Sequence, residues 1–300
     1  MLHKKSLGQH FLRDPKILGK MVVAGDITRE DTVLEIGPGE GTLTKLLLAR
    51  AGKVVAVEKD DRLIPVLQET FSKEIASGAL KLIHGDILTA PLDFLPSSSK
   101  EGQGGGWDST TPPQFSPLKG EEEKRRGYKL VANIPYYITG EILRLFLSGD
   151  CQPSRAVLLV QKEVAKRIVA SEGKESILSL SVKAYGTPRY IDTVKAGAFS
   201  PPPKVNSAIL AVEHISKDFF ETLRETQPYG VRLSLTEVEK QFFLLVKKGF
   251  AHKRKLLRSN LKLSPEMLES AGIQTDARAE TLTIEHWNAL ALSIQPKVNP

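Results

Sequence analysis

The stretch VLEIGPGEGTLTKLLL (33–48) constrains the chain more than any other. A β-branched run meets glycines at 37, 39 and 41 and then a run that is apolar at helical spacing. Residues without Cβ let a chain turn tightly between strand and helix and let its backbone come against a ligand, which is how open α/β folds build a nucleotide crevice. The alternation continues. VVAVE (54–58), ALKLIHGD (79–86), YKLVANIP (128–135) and RAVLLV (155–160) read as buried strands, and TLTKLLLARA, DRLIPVLQETF and GEILRLFLSG read as the helices among them. Strands alternating with helices predict an α/β fold with a parallel sheet and helices on both faces. SILSLSVKAYG, PRYIDTV and NSAILAVEHI read as further elements that close the sheet edge.

From about residue 214 helical periodicity takes over, as in EVEKQFFLLVKKGF, SPEMLESAG and TIEHWNALAL. This predicts a small all-helical C-terminal domain over 214–300, after a larger domain over 1–213. Residues 97–127 fit neither. They hold six Gly, five Ser and three Pro and end in the charge run EEEKRR, so they read as a disordered surface insertion.

Composition narrows the function classes. The 300 residues are 41% hydrophobic and 26% charged, an ordinary globular mixture. The single cysteine, Cys151, rules out an internal disulfide and points to a reducing, cytoplasmic setting. No apolar run is long enough to span a bilayer, and MLHKKSLGQHFL lacks the apolar core of a secretory signal, so no membrane partner is expected. The net charge of +7 permits a polyanionic partner without requiring one. His10, His84 and His252 are scattered, so no metal site is expected.

The loop spacing is G-x-G-x-G. The third glycine comes one residue earlier than in the dinucleotide fingerprint, which suits a ligand without phosphates, such as S-adenosylmethionine lying on Gly37 and Gly39. Twenty-one residues after Gly37, Glu58 ends the second strand, where a carboxylate can accept hydrogen bonds from both ribose hydroxyls. Asp86, after the third strand, can accept from an adenine exocyclic amine; the plainer alternative is a turn or helix cap.

The fourth strand ends in Asn133-Ile134-Pro135-Tyr136-Tyr137. Asn133 offers a carbonyl acceptor, Pro135 fixes the backbone, and Tyr136 offers a flat face for a base. Such a group can hold an adenine by its amino group and its plane. Further on, KKGFAHKRKLLR (247–258) carries six Lys or Arg and no acid. Read as an amphipathic helix, it presents Lys247, Lys248, Lys253, Arg254, Lys255 and Arg258 to RNA phosphates; the plainer alternative is a solvated helix face.

LGQHFL, EIGPGEGTLT, VEKD, GDIL, NIPYYIT, VQKEVAKRI, AFSPPPKVNSAI and KKGFAHKRKLLRSNL follow one another in an order that resembles the KsgA/RsmA family of small-subunit ribosomal RNA adenine dimethyltransferases. The resemblance spans about 6–290, apart from 97–127 and a looser stretch near 216–238. It implies a Rossmann-like class I methyltransferase sheet, S-adenosyl-L-methionine as methyl donor, and N6-dimethylation of two adjacent adenosines in a hairpin loop near the 3′ end of small-subunit (16S) rRNA. The implied partner is the immature small ribosomal subunit, met by a monomer. His10, Leu12, Gly37, Glu58, Asp86 and Asn133 are implied donor contacts. Asn133 and Tyr136 are implied to hold the adenine, with Phe199 packing on its other side. Position 10 is His where many relatives have Asn, a change that a donor contact through the backbone would survive. Two other readings stay open: methylation of one adenosine in large-subunit rRNA, and a non-catalytic ribosome-assembly factor.

Overall fold

A computed structural model describes residues 10–95, 127–170, 173–226 and 233–294. Apart from Gly127, the expected insertion at 97–127 lies outside the described residues. The strands are β1 (Phe11–Leu12), β2 (Thr32–Ile36), β3 (Lys53–Glu58), β4 (Leu80–His84), β5 (Lys129–Asn133), β6 (Arg155–Gln161), β7 (Thr187–Val194), β8 (Phe199–Ser200) and β9 (Ser207–Glu213). In the first half the helices are α1 (Pro15–Ala24), α2 (Thr42–Leu48), α3 (Ile64–Thr70), α4 (Ser72–Ala76) and α5 (Thr139–Ser148). Then come α6 (Lys162–Val169), α7 (Ile177–Lys183), α8 (Asp218–Glu225), α9 (Leu235–Gly249), α10 (Leu257–Leu261), α11 (Pro265–Ser270) and α12 (Ile284–Ser293).

Seven strands form one sheet in the order β4-β3-β2-β5-β6-β9-β7. β2 pairs in parallel with β3 and β5, and β3 with β4, as the strand–helix alternation predicts. The far edge departs from an all-parallel sheet, because β7 and β9 pair antiparallel, with a bulge between Tyr190 and Asp192. Of the three segments read as closing the sheet edge, SILSLSVKAYG supplies the helix α7 and the other two supply β7 and β9. Successive side chains of β2, β3 and β9 are buried almost without interruption, which requires cover on both faces of the sheet.

The chain divides into two compact units. One holds Phe11–Ile134 with Ile138–Ala156; the other holds His10, Pro135–Tyr137 and the described residues from Val157 onward. Within the second unit the C-terminal helices pack through aromatic rings. Phe220 of α8 meets Phe242 of α9 at 5.6 Å and Tyr185 at 5.1 Å. α9 and α12 start in capping boxes, Ser234 with Glu237 and Thr283 with His286, which satisfy backbone N–H groups left open at a helix start. No helix among the described residues is long and apolar enough to cross a membrane.

Candidate active site

Sheet register places the first group of candidate residues. Ile36 pairs with Val57 on one side and Ala132 on the other, and Glu58 pairs with His84. Gly37, Glu58, Asp86 and Asn133 therefore lie at the carboxyl ends of four adjacent strands. The strand order reverses at β2, and open parallel sheets bind ligands outside the strand ends where it does so.

Gly37, Gly39 and Gly41 all have positive φ, at 66°, 61° and 80°, which explains why the loop needs glycine at each. The three differ in surroundings. A Cβ on Gly37 would meet nothing within 4 Å; on Gly39 it would press on the Phe11 ring at 2.9 Å; on Gly41 it would collide with Phe71. The loop is thus backed at two glycines and open at Gly37.

Glu58 is buried, at 5% exposure. Its Oε2 accepts from the Gly39 N–H at 3.0 Å and its Oε1 from the Asp60 N–H at 2.8 Å. Burial raises its pKa, and these backbone donors oppose the rise. Each carboxylate oxygen keeps acceptor capacity beyond one bond, so the group can hold the loop and still face ribose hydroxyls. Asp86 accepts from Lys59 Nζ at 2.7 Å and from the Leu88 N–H at 3.1 Å. The lysine, above all, holds its pKa below the usual carboxylate range. The turn-cap alternative for Asp86 is therefore realised, with one oxygen ion-paired.

Glu35, inside β2, is 1% exposed, and its Oε2 has no hydrogen-bond partner. Burial pushes its pKa up to about 8, against the influence of the nearby Thr44 hydroxyl and with that of the Glu58 charge. In the sequence Glu35 reads only as the acid that precedes the glycine loop in the variant that suits a ligand without phosphates.

The second unit carries the rest. Tyr136 starts a short 3-10 turn (Tyr136–Ile138), and its hydroxyl lies 2.5 Å from Ser207 Oγ at the start of β9. Burial raises the phenol pKa and the serine contact opposes that. The His10 ring stacks on Tyr136, with centroids 6.0 Å apart and planes 22° apart, and its Nδ1 lies 2.8 Å from the Pro201 carbonyl oxygen. Phe199 is buried at 5% exposure, whereas Tyr137 is 62% exposed. Leu12 is a buried core residue. Phe11, not singled out in the sequence, backs the glycine loop; its place in QHFL between His10 and Leu12 was the available signal.

Lys247, Lys248, Lys253, Arg254, Lys255 and Arg258 are all exposed. The expected single helix over 247–258 is not what forms. α9 ends at Gly249, α10 begins at Leu257, and the residues between make a turn. Asn260 holds that turn, its Nδ2 donating to the Gly249 carbonyl at 2.6 Å and the His252 carbonyl at 3.1 Å. Gly249 lies so close to Trp287 and Leu257 that a Cβ there would collide with the Trp287 ring, and Phe250 stacks on Trp287 at 5.9 Å. Among the described residues no group of three or more His, Cys, Asp or Glu could hold a metal ion.

A mostly parallel α/β sheet with a glycine loop at its topological switch point and acidic residues on the adjacent strand ends defines a Rossmann-like methyltransferase fold. Two solved structures share it: the 23S rRNA methyltransferase ErmE and a dimethyladenosine transferase from Plasmodium falciparum, each at TM-score 0.67 and 24% identity. The match covers 94% of this chain in both cases, and 98% and 96% of the respective structures. The model of the ribosomal RNA adenine dimethylase family matches residues 1–296, and the chain belongs to that family. Proteins described as ribosomal RNA small subunit methyltransferase A are similar along nearly their whole length. That of Dehalococcoides mccartyi (strain CBDB1) is 40% identical over 96% of this chain and 87% of its own. That of Pelotomaculum thermopropionicum is 35% identical over 96% and 90%.

Proposed function

We propose that the protein transfers methyl groups from S-adenosyl-L-methionine to N6 of two adjacent adenosines of small-subunit rRNA, dimethylating each during subunit assembly in the cytoplasm. The observation that carries this reading is the alignment of Gly37, Glu58, Asp86 and Asn133 along four adjacent strand ends, with Pro135-Tyr136 following Asn133 in the chain. Open space beside Gly37 suits a ligand lying on bare backbone, and two buried or ion-paired carboxylates suit ribose hydroxyls and an exocyclic amine. His10 and Leu12, in the segment leading to Phe11, complete the proposed donor contacts, along with Gly39. The donor supplies a sulfonium-bound methyl group with a neutral thioether as leaving group.

The chain's own residues act on the adenine. Its N6 lone pair is delocalised into the ring and nucleophiles of that kind are poor. The Asn133 side-chain carbonyl and a carbonyl of the Pro135 turn accept the N6 hydrogens, which favours a localised lone pair. Tyr136 holds the plane of the base, and Phe199 is the residue that the family resemblance puts on its other side. With the donor bound, N6 would receive the methyl group as the neutral thioether leaves, and the N6 proton would pass to bulk water. Positioning and exclusion of water supply the acceleration, and no dedicated general base is required. The exposed cations of 247–258 bind rRNA phosphates, giving affinity without base readout, and residues 214–300 serve as the docking domain of a monomer.

The test is incubation of the protein and labelled donor with small subunits that lack the modification, followed by mapping of the methylated nucleotides. Label in N6-dimethyladenosine at two adjacent positions is expected. Label confined to large-subunit rRNA, or none from folded protein, overturns the reading.

A further inference from the structure

We propose that Arg13 and Glu40 form an ionic clasp that fastens the segment before α1 to the glycine loop, and that both act as positioning residues for the methyl donor. The inference rests on the donor site proposed above. Arg13 Nε donates to Glu40 Oε2 at 2.8 Å, and Arg13 Nη2 donates to Glu40 Oε1 at 2.7 Å. Two parallel bonds between a planar guanidinium and a planar carboxylate fix direction as well as distance. Glu40 stands between Gly39 and Gly41, both at positive φ, where the backbone is freest to rearrange. Glu58 holds this loop by the Gly39 N–H. The clasp holds it one residue further on.

The Arg13 end is equally well placed. Asp14, the next residue, caps α1, its side chain accepting from the Lys16 N–H at 2.9 Å. Two residues before Asp14 in the chain, Leu12 is buried, and the Phe11 ring lies against Gly39. Phe11 and Arg13 thus grip neighbouring loop residues, and Leu12, a proposed donor contact, is the residue between them. Breaking the clasp frees both the loop and Leu12 to move. The two side chains stay 58% and 29% exposed, so the pair can open without unfolding the chain and is open to screening by salt.

The test uses the full chain with Arg13→Ala, with Glu40→Ala, with both, and with the exchanged pair Arg13→Glu and Glu40→Arg. Affinity for S-adenosylhomocysteine is measured by calorimetry at low and high salt, and amide hydrogen exchange at Phe11 and Leu12 is read by NMR without ligand. Each single variant is expected to bind about threefold more weakly at low salt, within the range of an exposed ion pair of good geometry. The double variant is expected to lose no more than either single, because the second substitution removes a side chain already without its partner. The exchanged pair is expected to recover most of the affinity. High salt is expected to bring the wild type toward the variants and to change the variants little. Exchange at Phe11 and Leu12 is expected to rise where the pair is broken and to return in the exchanged pair, with melting temperatures near that of the wild type throughout. Full affinity in both single variants, or losses that add in the double, overturns the inference. Exchange unmoved by breaking the pair also overturns it, whatever the affinity. A wild type that binds no S-adenosylhomocysteine overturns the functional reading instead, and the exchange comparison still decides whether the clasp holds the segment.

Discussion

Glu58 Oε2 accepts a hydrogen bond from the Gly39 N–H at 3.0 Å, so the last residue of β3 fixes the loop that follows β2. The same carboxylate accepts from Asp60, so losing it leaves two backbone donors unsatisfied near a buried position. Glu58→Ala is expected to lower stability by about 1–3 kcal/mol, the cost of buried groups left without partners. Affinity for S-adenosylhomocysteine is expected to fall at least tenfold, with Glu58→Gln in between. Denaturant melts and calorimetry check both, and an unchanged product affinity in Glu58→Ala would remove Glu58 from the donor site.

Gly37→Ala and Gly41→Ala separate ligand space from packing. Both residues have positive φ, which costs a Cβ-bearing residue about 1–2 kcal/mol. At Gly41 the Cβ also collides with Phe71, adding about 1–3 kcal/mol of overpacking. At Gly37 the space is open, so the variant folds with only the backbone cost, and its methyl group occupies the proposed donor surface. Thermal melts are expected to rank Gly41→Ala as the less stable, while calorimetry ranks Gly37→Ala as the weaker binder among folded variants.

Glu35 gives a pH signature. Its folded pKa, about 8, lies above the ordinary carboxylate value of 4.5, so the folded state binds a proton that the unfolded state releases between those values. A carboxylic acid with a raised folded pKa is best tolerated below the unfolded value. Its contribution to stability declines as pH rises from about 4.5 to 8, by up to about 1.4 kcal/mol per pH unit, and levels off above. Glu35→Gln abolishes this slope. Stability measured by denaturant at pH 5.5 and pH 8 is expected to favour the glutamine variant more at the higher pH; an equal difference at both would show that Glu35 is ionised in the folded protein.

The basic turn predicts a salt effect. Lys253→Ala, Arg254→Ala and Lys255→Ala together are expected to weaken small-subunit binding and lower the log–log salt slope by up to about 3, near one per phosphate contact. Product affinity is expected to stay unchanged. Asn260→Ala, which removes the two bonds holding the turn, is expected to weaken subunit binding with all six cations still present. Filter binding at several salt concentrations checks both, and a slope unmoved by the triple variant would turn the segment into a solvated surface.

The sequence by itself determined the strand–glycine–helix entry, the order of the strands along the chain and the acids at their ends. These depend on local rules: β-branched runs bury on two faces, and positive φ needs glycine. Exposure of the six cations was legible for the same reason, since charge run against few apolar residues seeks water. What only the tertiary structure decided involves partners distant in sequence. Whether 247–258 continues as a helix depended on Trp287 crowding Gly249 and on Asn260 capturing two carbonyls, neither visible in a local pattern. That His10 meets Tyr136 and Pro201, 126 and 191 positions away, follows from where the fold brings the chain, because side-chain contacts of that separation have no periodicity to betray them.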